Sequence, residues 1–319
     1  MSFINRILNT GVKQGWCAVE AVPEGLYGVS VQAPEPGSAK PQVLACCHLA
    51  GAPLDAESLV NLATQLDAKS TPWTVPLDRK AYSILVVEQP AVRADEMEQS
   101  IRWAIGTMID FPINDASVAW MKIPTEKLLP NRAPHVYAVA TRRELVDGYR
   151  QAFKQAKLPL KAVDVQETAH RNIAAMLANT GEGIALLSVG KRGVQFTITF
   201  QGELYLDRHV EELVFGNEVE ESVLDRARER VVLQVQRSLD FVGRTLPFID
   251  INRVVLAPMP DAELMRQRIA ENLPVAVETL DLGVIFDLSR TPQLQQEENQ
   301  ADYFVALGAA LRYNTSASA

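Results

Sequence analysis

The chain has no apolar run approaching the ~20 residues that a membrane-spanning helix needs, and no signal peptide opens it. Cysteine is scarce, with Cys17, Cys46 and Cys47 alone. An odd count with an adjacent pair builds no disulfide framework. Each cysteine falls in a strand-like apolar run, where a thiol acts as a small buried hydrophobe, and the expected compartment is reducing cytoplasm. Positive charge is in deficit: 31 Lys and Arg stand against 39 Asp and Glu, for a net charge of −8 and a pI near 5.2. That balance argues against a general nucleic-acid or anionic-membrane binder, because phosphates are held by clustered cations.

Catalytic signatures are missing too. The four histidines, His48, His135, His170 and His209, are scattered, without HxxxH or CxxC ligand spacing. Cys46-Cys47-His48 is too compact for a tetrahedral metal site, and strand-end packing is the better reading. Neither a GxSxG elbow nor a GxxxxGK[ST] phosphate loop occurs. The carboxylates Glu218, Glu220 and Glu221 open a long helical pattern, where the helix dipole accounts for them.

What is present is a repeated unit. Ile184 to Val189 is a short apolar run bounded by Gly183 and Gly190, the pattern of a strand buried on both faces. After a glycine turn, Val194, Phe196, Ile198 and Phe200 alternate with polar residues. Gln201-Gly202 is a two-residue hairpin into Glu203 to Asp207, and a long helix with Leu224, Val231, Val235, Leu239 and Val242 on one face follows. The same order stands near the N-terminus: strands at 17–22, 26–32 and 43–47, then a helix at 56–66. A duplicated meander-plus-helix is the plan of the actin-like ATPase folds. With 319 residues and 47% hydrophobic content, two such domains are affordable.

Between the two units the pattern gives a strand at 81–87 and a helix at 95–110, with Met97, Ile101, Ala104, Ile105 and Met108 as its apolar face. Strands at 116–123 and 136–140, a helix at 143–155, a strand at 160–165 and a helix at 167–177 follow. Beyond the long helix come a strand at 251–256, a helix at 261–272 capped by Asp261, and a strand at 275–280. Residues 287–300 are polar and read as loop, before a closing helix at 303–311 and a Ser/Ala tail. Phe3, Ile4, Ile7 and Leu8 form one amphipathic turn, read as packing on its own domain.

Several ordered motifs carry a family resemblance. They are Gln99-Ser100-Ile101-Arg102-Trp103-Ala104 with Ile109-Asp110-Phe111-Pro112, then Ala138-Val139-Ala140-Thr141-Arg142-Arg143-Glu144-Leu145-Val146, and Lys161-Ala162-Val163-Asp164-Val165. Gln236-Arg237-Ser238-Leu239-Asp240-Phe241, Val254-Val255-Leu256-Ala257 and Ala306-Leu307-Gly308-Ala309-Ala310-Leu311-Arg312 complete the set. In this order the chain resembles the type IV pilus assembly protein PilM family, and within it most closely the MshI proteins of mannose-sensitive haemagglutinin (MSHA) pilus biogenesis. The resemblance implies an α/β actin-like fold of two domains, 1–165 and 166–302. A subdomain is inserted at about 81–160, the helix at 303–312 packs back on the first domain, and 313–319 is a tail. It also implies a cytoplasmic scaffold at the inner membrane, peripheral through its partners. That scaffold binds the short cytoplasmic tail of a PilN-like bitopic protein in a groove between the first domain and the inserted subdomain, and connects to the assembly motor.

Against the family's phosphate turns this sequence is altered. The first turn carries Glu20 for Asp, Val22 for Gly and Tyr27 for Lys, with Pro23 removing a donor and Glu24 adding negative charge beside Gly25. The second reads Ser188-Val189-Gly190-Lys191-Arg192-Gly193, without its Asp, and the adenosine loop is Ala257-Pro258 where glycines allow close approach. Loss of about three charged or backbone hydrogen bonds, each ~1.5–3 kcal/mol, weakens binding by roughly three to six powers of ten. The expectation is a degenerate nucleotide site, no ATP hydrolysis and no bound cofactor, with Lys191 and Arg192 as point charges that keep weak Mg-ATP binding open. The alternatives are an ATP-binding switch, an active ATPase of the sugar-kinase or chaperone kind, and an L-type component of a type II secretion system. Trp103, on the polar side of its helix, is a candidate anchor for a partner. Ile109, Phe111 and Trp120 read as core of the inserted subdomain or as lining of its groove.

Overall fold

The computed structural model describes residues 15–34, 40–125, 133–190, 193–211, 213, 220–259 and 261–312. Two five-stranded sheets share one plan. In the first, β1 (Gly15–Val22), β2 (Gly25–Gln32) and β3 (Gln42–Ala50) form an antiparallel meander, followed by α1 (Ala56–Gln65). β4 (Trp73–Pro76) and β8 (Leu160–Asp164) then add in parallel, giving the order β3-β2-β1-β4-β8. In the second, β9 (Gly183–Gly190), β10 (Gly193–Phe200) and β11 (Glu203–Val210) form the meander, and α5 (Glu221–Thr245) follows. β12 (Arg253–Leu256), α6 (Ala262–Asn272) and β13 (Ala276–Thr279) complete the order β11-β10-β9-β12-β13. The duplicated unit read from the sequence is therefore present, meander first and parallel strands after.

A third sheet, β5 (Tyr82–Glu88), β7 (His135–Arg142) and β6 (Ala116–Ile123) in that spatial order, occupies the stretch between β4 and β8. α2 (Met97–Ile105) packs on it through Met97, Ile101 and Ile105, and α3 (Arg143–Gln155) sends Phe153 to the core under α1. α4 (Gln166–Leu177) and α7 (Glu297–Ala310) lie between the two large sheets. One apolar cluster joins Val29 and Val31 of the first sheet, Ala169 and Ile173 of α4, Phe304 and Leu307 of α7, and Leu186 and Val255 of the second sheet. The two helices meet closely: a Cβ on Gly308 would lie 2.5 Å from the Ala169 carbonyl oxygen. The Asn172 side chain donates to the Gly308 carbonyl at 3.0 Å.

Four readings change. β4 is missed by the pattern because its four residues are all buried and end in Pro76, so they show no alternation. Trp73 anchors it, fully buried, with its indole N–H donating to the Ala68 carbonyl at 3.1 Å. The helix expected over 95–110 spans only Met97–Ile105, capped at Gly106, so Ala104 and Met108 are exposed and not part of its buried face. The polar 287–300 stretch is not a loop throughout. A 3-10 turn at Pro292–Gln295 leads into α7 at Glu297, and fully buried Gln300 accepts from the Leu282 N–H at 2.7 Å and donates to Asp281 and the Leu294 carbonyl. Asp261 stands at the start of α6 in a left-handed conformation and makes no capping hydrogen bond; its carboxylate lies 3.6 Å from Arg228. The amphipathic turn at 3–8, Glu218 and the tail fall outside the described residues.

Two glycine substitutions test this packing. Gly308→Ala forces α4 and α7 apart and is expected to cost about 1–3 kcal/mol, read as a lower midpoint in thermal unfolding. Gly148 in α3 has nothing within 4 Å of the Cβ position, so Gly148→Ala is expected to raise stability by up to ~1 kcal/mol through helix propensity.

Candidate functional site

The sequence leads one to expect a nucleotide cleft at the two meander turns and the β12 end. Gly25 has φ +134°, and a Cβ there would stand 2.1 Å from the Leu49 carbonyl oxygen. This glycine makes room for β3, and the turn is further closed by the Gly51 N–H donating to the Glu24 carbonyl at 2.8 Å. Glu24 is exposed, and Glu20 is fully buried opposite Tyr27. The Tyr27 ring stacks on His48 at 4.1 Å and meets Tyr303 of α7 edge-on at 5.2 Å. Gly193, φ +108°, has the Val210 carbonyl oxygen 2.7 Å from its Cβ position, again a contact with its own chain. Gly190 opens onto free space, and half-buried Ser188 lies opposite Gln195. Lys191 and Arg192 fall outside the described residues. Ala257 is core, its N–H extending the β9–β12 ladder to the Leu187 carbonyl at 2.8 Å, and Pro258 is half-buried beyond it.

A groove of about 1220 Å³ runs between β6, the edge strand of the third sheet, and β8, the edge strand of the first. Its other walls come from α3 (Arg150, Lys154), α4 (Arg171) and the β10–β11 turn at Gln201–Glu203. Each edge has a second row of backbone donors and acceptors that no described strand pairs. Trp120 lines this groove and packs on the third sheet's core, whereas Trp103 is 79% exposed and is not among the lining residues. Ile109 and Phe111 pack half-buried against the same core. Phe111 also lines a smaller cleft of about 640 Å³ beside β5, with the Arg142 guanidinium 4.8 Å from its ring centroid. The groove's rim is built by arginines that hold carbonyls. Arg102 donates to Ile113 at 2.6 Å, and Arg143 to Ala116 at 3.2 Å.

Sequence reasoning missed a buried polar junction where the third sheet meets the second. Tyr82 of β5 donates to Glu167 of α4 at 2.6 Å, and Arg79 stands 3.3 Å from the other Glu167 oxygen. On β11 Asp207 accepts from Gln195, whose carbonyl accepts from His209 Nδ1 at 2.9 Å. Burial pushes the Glu167 carboxyl up and Asp207 well above the usual carboxylate range, with Arg79 opposing the shift in both. Burial, helped by Arg79, holds His209 down to about 4. None of these residues stands in a motif, so no local signal marks them. Chain separation hides the set: Tyr82 and Glu167 are 85 positions apart.

The remaining groups are structural. His170 meets Phe304 edge-on at 5.2 Å, and His135 donates to the Ala133 carbonyl at 2.8 Å. Burial raises the Cys17 thiol to about 12 and those of Cys46 and Cys47 to about 11, so all three stay protonated at neutral pH. Glu221 pairs with Arg228 at 2.6 Å. Among the described residues no group of three His, Cys, Asp or Glu is placed to hold a metal ion, and no helix is long and apolar enough to cross a membrane.

The junction gives two opposed pH limbs. His209 is held neutral in the fold while the unfolded chain takes a proton near 6.5. Its stability contribution is therefore full above pH ~6.5 and is lost as pH falls toward 4. Glu167 and Asp207 have raised values, so their contribution is full below the usual carboxylate pKa of ~4 and declines as pH rises above it. In unfolding midpoints measured across pH, His209→Gln is expected to flatten the acid limb and Asp207→Asn the opposing one.

The family model for the type IV pilus assembly protein PilM matches residues 81–216, the stretch that holds the third sheet, β6, β8 and the second meander. No curated protein sequence matches the chain. Among solved structures, a chain of the PilM–PilN type IV pilus biogenesis complex superposes with a TM-score of 0.70 at 19% identity, over 93% of this chain and 97% of that one. The cytoplasmic domain of EpsL, an inner-membrane component of the type II secretion system of Vibrio cholerae, gives 0.52 at 14% identity, over 89% and 94%. At such identities the likeness is one of fold, and that fold is the actin-like one expected.

Proposed function

We propose that this chain is a PilM-type assembly scaffold that holds the cytoplasmic tail of a PilN-like inner-membrane protein in the groove between β6 and β8. The observation that carries the reading is the pairing of two open strand edges across one groove, inside the stretch that the PilM family model matches. An extended tail can add to either edge by main-chain hydrogen bonds, with pockets such as the one beside Trp120 taking alternate side chains. The solved PilM chain of similar fold is itself in a complex with PilN, which supports the same kind of occupant here. The ordered motifs in the sequence favour a pilus of the MSHA type and an MshI-like role. In this reading the protein sits at the cytoplasmic face of the inner membrane through its partner.

The nucleotide cleft plays no catalytic part in this proposal. A Mg-nucleotide does not fit the residues present: Tyr27 is packed on His48 and Tyr303 at the Lys position, and Ser188 stands where a metal-positioning Asp belongs. The two turn glycines lie against carbonyl oxygens of the chain itself. These features support the reading of the scaffold as a pseudo-ATPase. A second reading, an L-type secretion component, rests on the EpsL likeness, and a different partner tail distinguishes the two.

The scaffold reading is tested by capture of a synthetic PilN-type tail peptide, apolar with basic residues, in fluorescence anisotropy. Ala119→Arg, in the groove wall, is expected to weaken capture at least tenfold, and proline at the peptide's central position to do the same by removing a ladder donor. Trp103→Ala, outside the groove, is expected to leave it unchanged. Capture unaffected by Ala119→Arg would move the site away from β6.

For the cleft, thermal unfolding with and without millimolar Mg-ATP is expected to show no change. A folded-state ligand at ~100 times its Kd would add about 2.7 kcal/mol and a clear rise in midpoint. Such a rise would make the protein a nucleotide-controlled switch.

A further inference from the structure

The groove between β6 and β8 is positively charged in a chain whose net charge is −8. Seven arginines and lysines line it, against three carboxylates, Glu98, Asp164 and Glu203. Several of the cations are already engaged. Arg312 pairs with Asp164. Arg102 and Arg143 hold the carbonyls of Ile113 and Ala116, with Glu98 one helical turn before Arg102. Arg150 stands 3.2 Å from Asp147 in an exposed pair that water screens. Lys154, Lys161 and Arg171 remain. Among the described residues none of the three has a carboxylate at ion-pair distance, and Arg171 donates only to the neighbouring Asn172 side chain, at 3.0 Å. Against them stands Glu203 of the β10–β11 turn.

These three cations surround one strand edge. α3 covers one face of the first sheet, where Phe153 packs with Val19, Trp73 and Val75. α7, with α4 against it, lies on the other face, beside Ala18, Val29 and Val31. β8 is the last strand of that sheet, so Lys154 of α3 flanks its open edge from one face and Arg171 of α4 from the other. Lys161 stands on the strand itself, at a break in the β4–β8 pairing. Trp73 pairs with Leu160 and Thr74 with Ala162, which leaves Lys161 as the extra, exposed residue of a bulge. β6 lines the opposite wall with Val118, Ala119 and Trp120, all apolar.

We propose, on the reading of this groove as the seat of a partner's tail, that the tail adds to the edge of β8 and carries consecutive carboxylates. Successive side chains of a strand point to opposite faces of its sheet. Two adjacent acidic residues therefore send one carboxylate toward Lys154 and the other toward Arg171, with Lys161 between them. Cations in a concavity with low-dielectric walls focus their field into it, and complementary charge there decides which tail enters and in what register. The open edge asks for a chain with backbone donors and acceptors, which a peptide has and a nucleic acid lacks.

The test is fluorescence anisotropy with the full chain and three forms of one apolar tail peptide, equal in length, with Glu-Glu, Gln-Gln or Lys-Lys as the central pair. The Lys-Lys form corresponds to the basic tail of the scaffold test, held by main-chain hydrogen bonds and apolar contacts alone. At low salt the Glu-Glu form is expected to bind about tenfold tighter than the Gln-Gln form, and the Lys-Lys form most weakly. At ~1 M salt, where the Debye length is about 3 Å, the three are expected to converge. Lys154→Glu with Lys161→Glu, both at exposed positions, is expected to reverse the order while keeping the circular dichroism of the parent. If that reversal impairs folding, Lys154→Gln with Lys161→Gln is expected to remove the preference. Equal capture of the three forms, or tightest capture of the Lys-Lys form, overturns the proposal and leaves the groove a tail site. Capture of none of them overturns the scaffold reading as well. A single-stranded oligonucleotide that binds more tightly than the Glu-Glu form makes the cations a phosphate site, and the proposal falls.

Discussion

The close crossing of α4 and α7 is the constraint on which the rest of the molecule depends. α7 packs on the first sheet, α4 on the second, and each helix covers the other. α7 meets this with apolar residues nearly all round from Phe304 to Leu311, and α4 with Ala169 and Ile173 beside buried His170 and Asn172. They can approach only because residue 308 has no side chain to strike the Ala169 carbonyl. α4 carries Glu167 and Thr168 at its start, where it leaves β8, and Asp164 at that corner accepts from the Thr168 hydroxyl at 2.7 Å and pairs with Arg312. Arg312, just after α7, is thus tied to the point where the groove, the first sheet and the helix pair meet.

Charge is used in two distinct ways. On the surface it is solvated and sets which partners are attracted. Inside, at the junction of Arg79, Tyr82, Glu167 and Asp207, it is enclosed, and one guanidinium faces two carboxylates. Desolvation then favours a carboxyl that keeps its proton. Removing one partner of such a set strands the others, which is why buried ionic groups specify how elements dock more than they stabilise the docking. Here they fix the third sheet against α4 and β11, and so hold β6 at its distance from β8.

The turn glycines serve the packing of the chain itself. At the two meander turns, Gly25 and Gly193 have positive φ and lie against carbonyl oxygens of neighbouring strands. A chain that no longer needed close approach to a phosphate would still need both glycines to turn and to pack. A turn glycine is therefore weak evidence for a ligand, because packing alone requires it.

Periodicity made the duplicated meanders, their hairpin at Gln201-Gly202 and the α5 face legible, because β10 alternates and α5 repeats along one side. The alternation in β10 points to one buried face, but both are buried, with Thr197 and Thr199 fully enclosed. The ordered motifs indicated the actin-like fold, and the exposure of Trp103 followed from its place on the polar side of α2. β4 left no pattern, being buried on both faces over four residues, and α7 hid its first turn behind polar residues whose partners come from elsewhere in the fold. Tertiary structure alone decided that Trp120 and not Trp103 lines the groove, and that Tyr82, Glu167 and Asp207 converge. Local sequence records which face of an element is apolar. Which two edges or charges come together depends on the closure of the chain over scores of residues, and that is fixed only when the sheets pack.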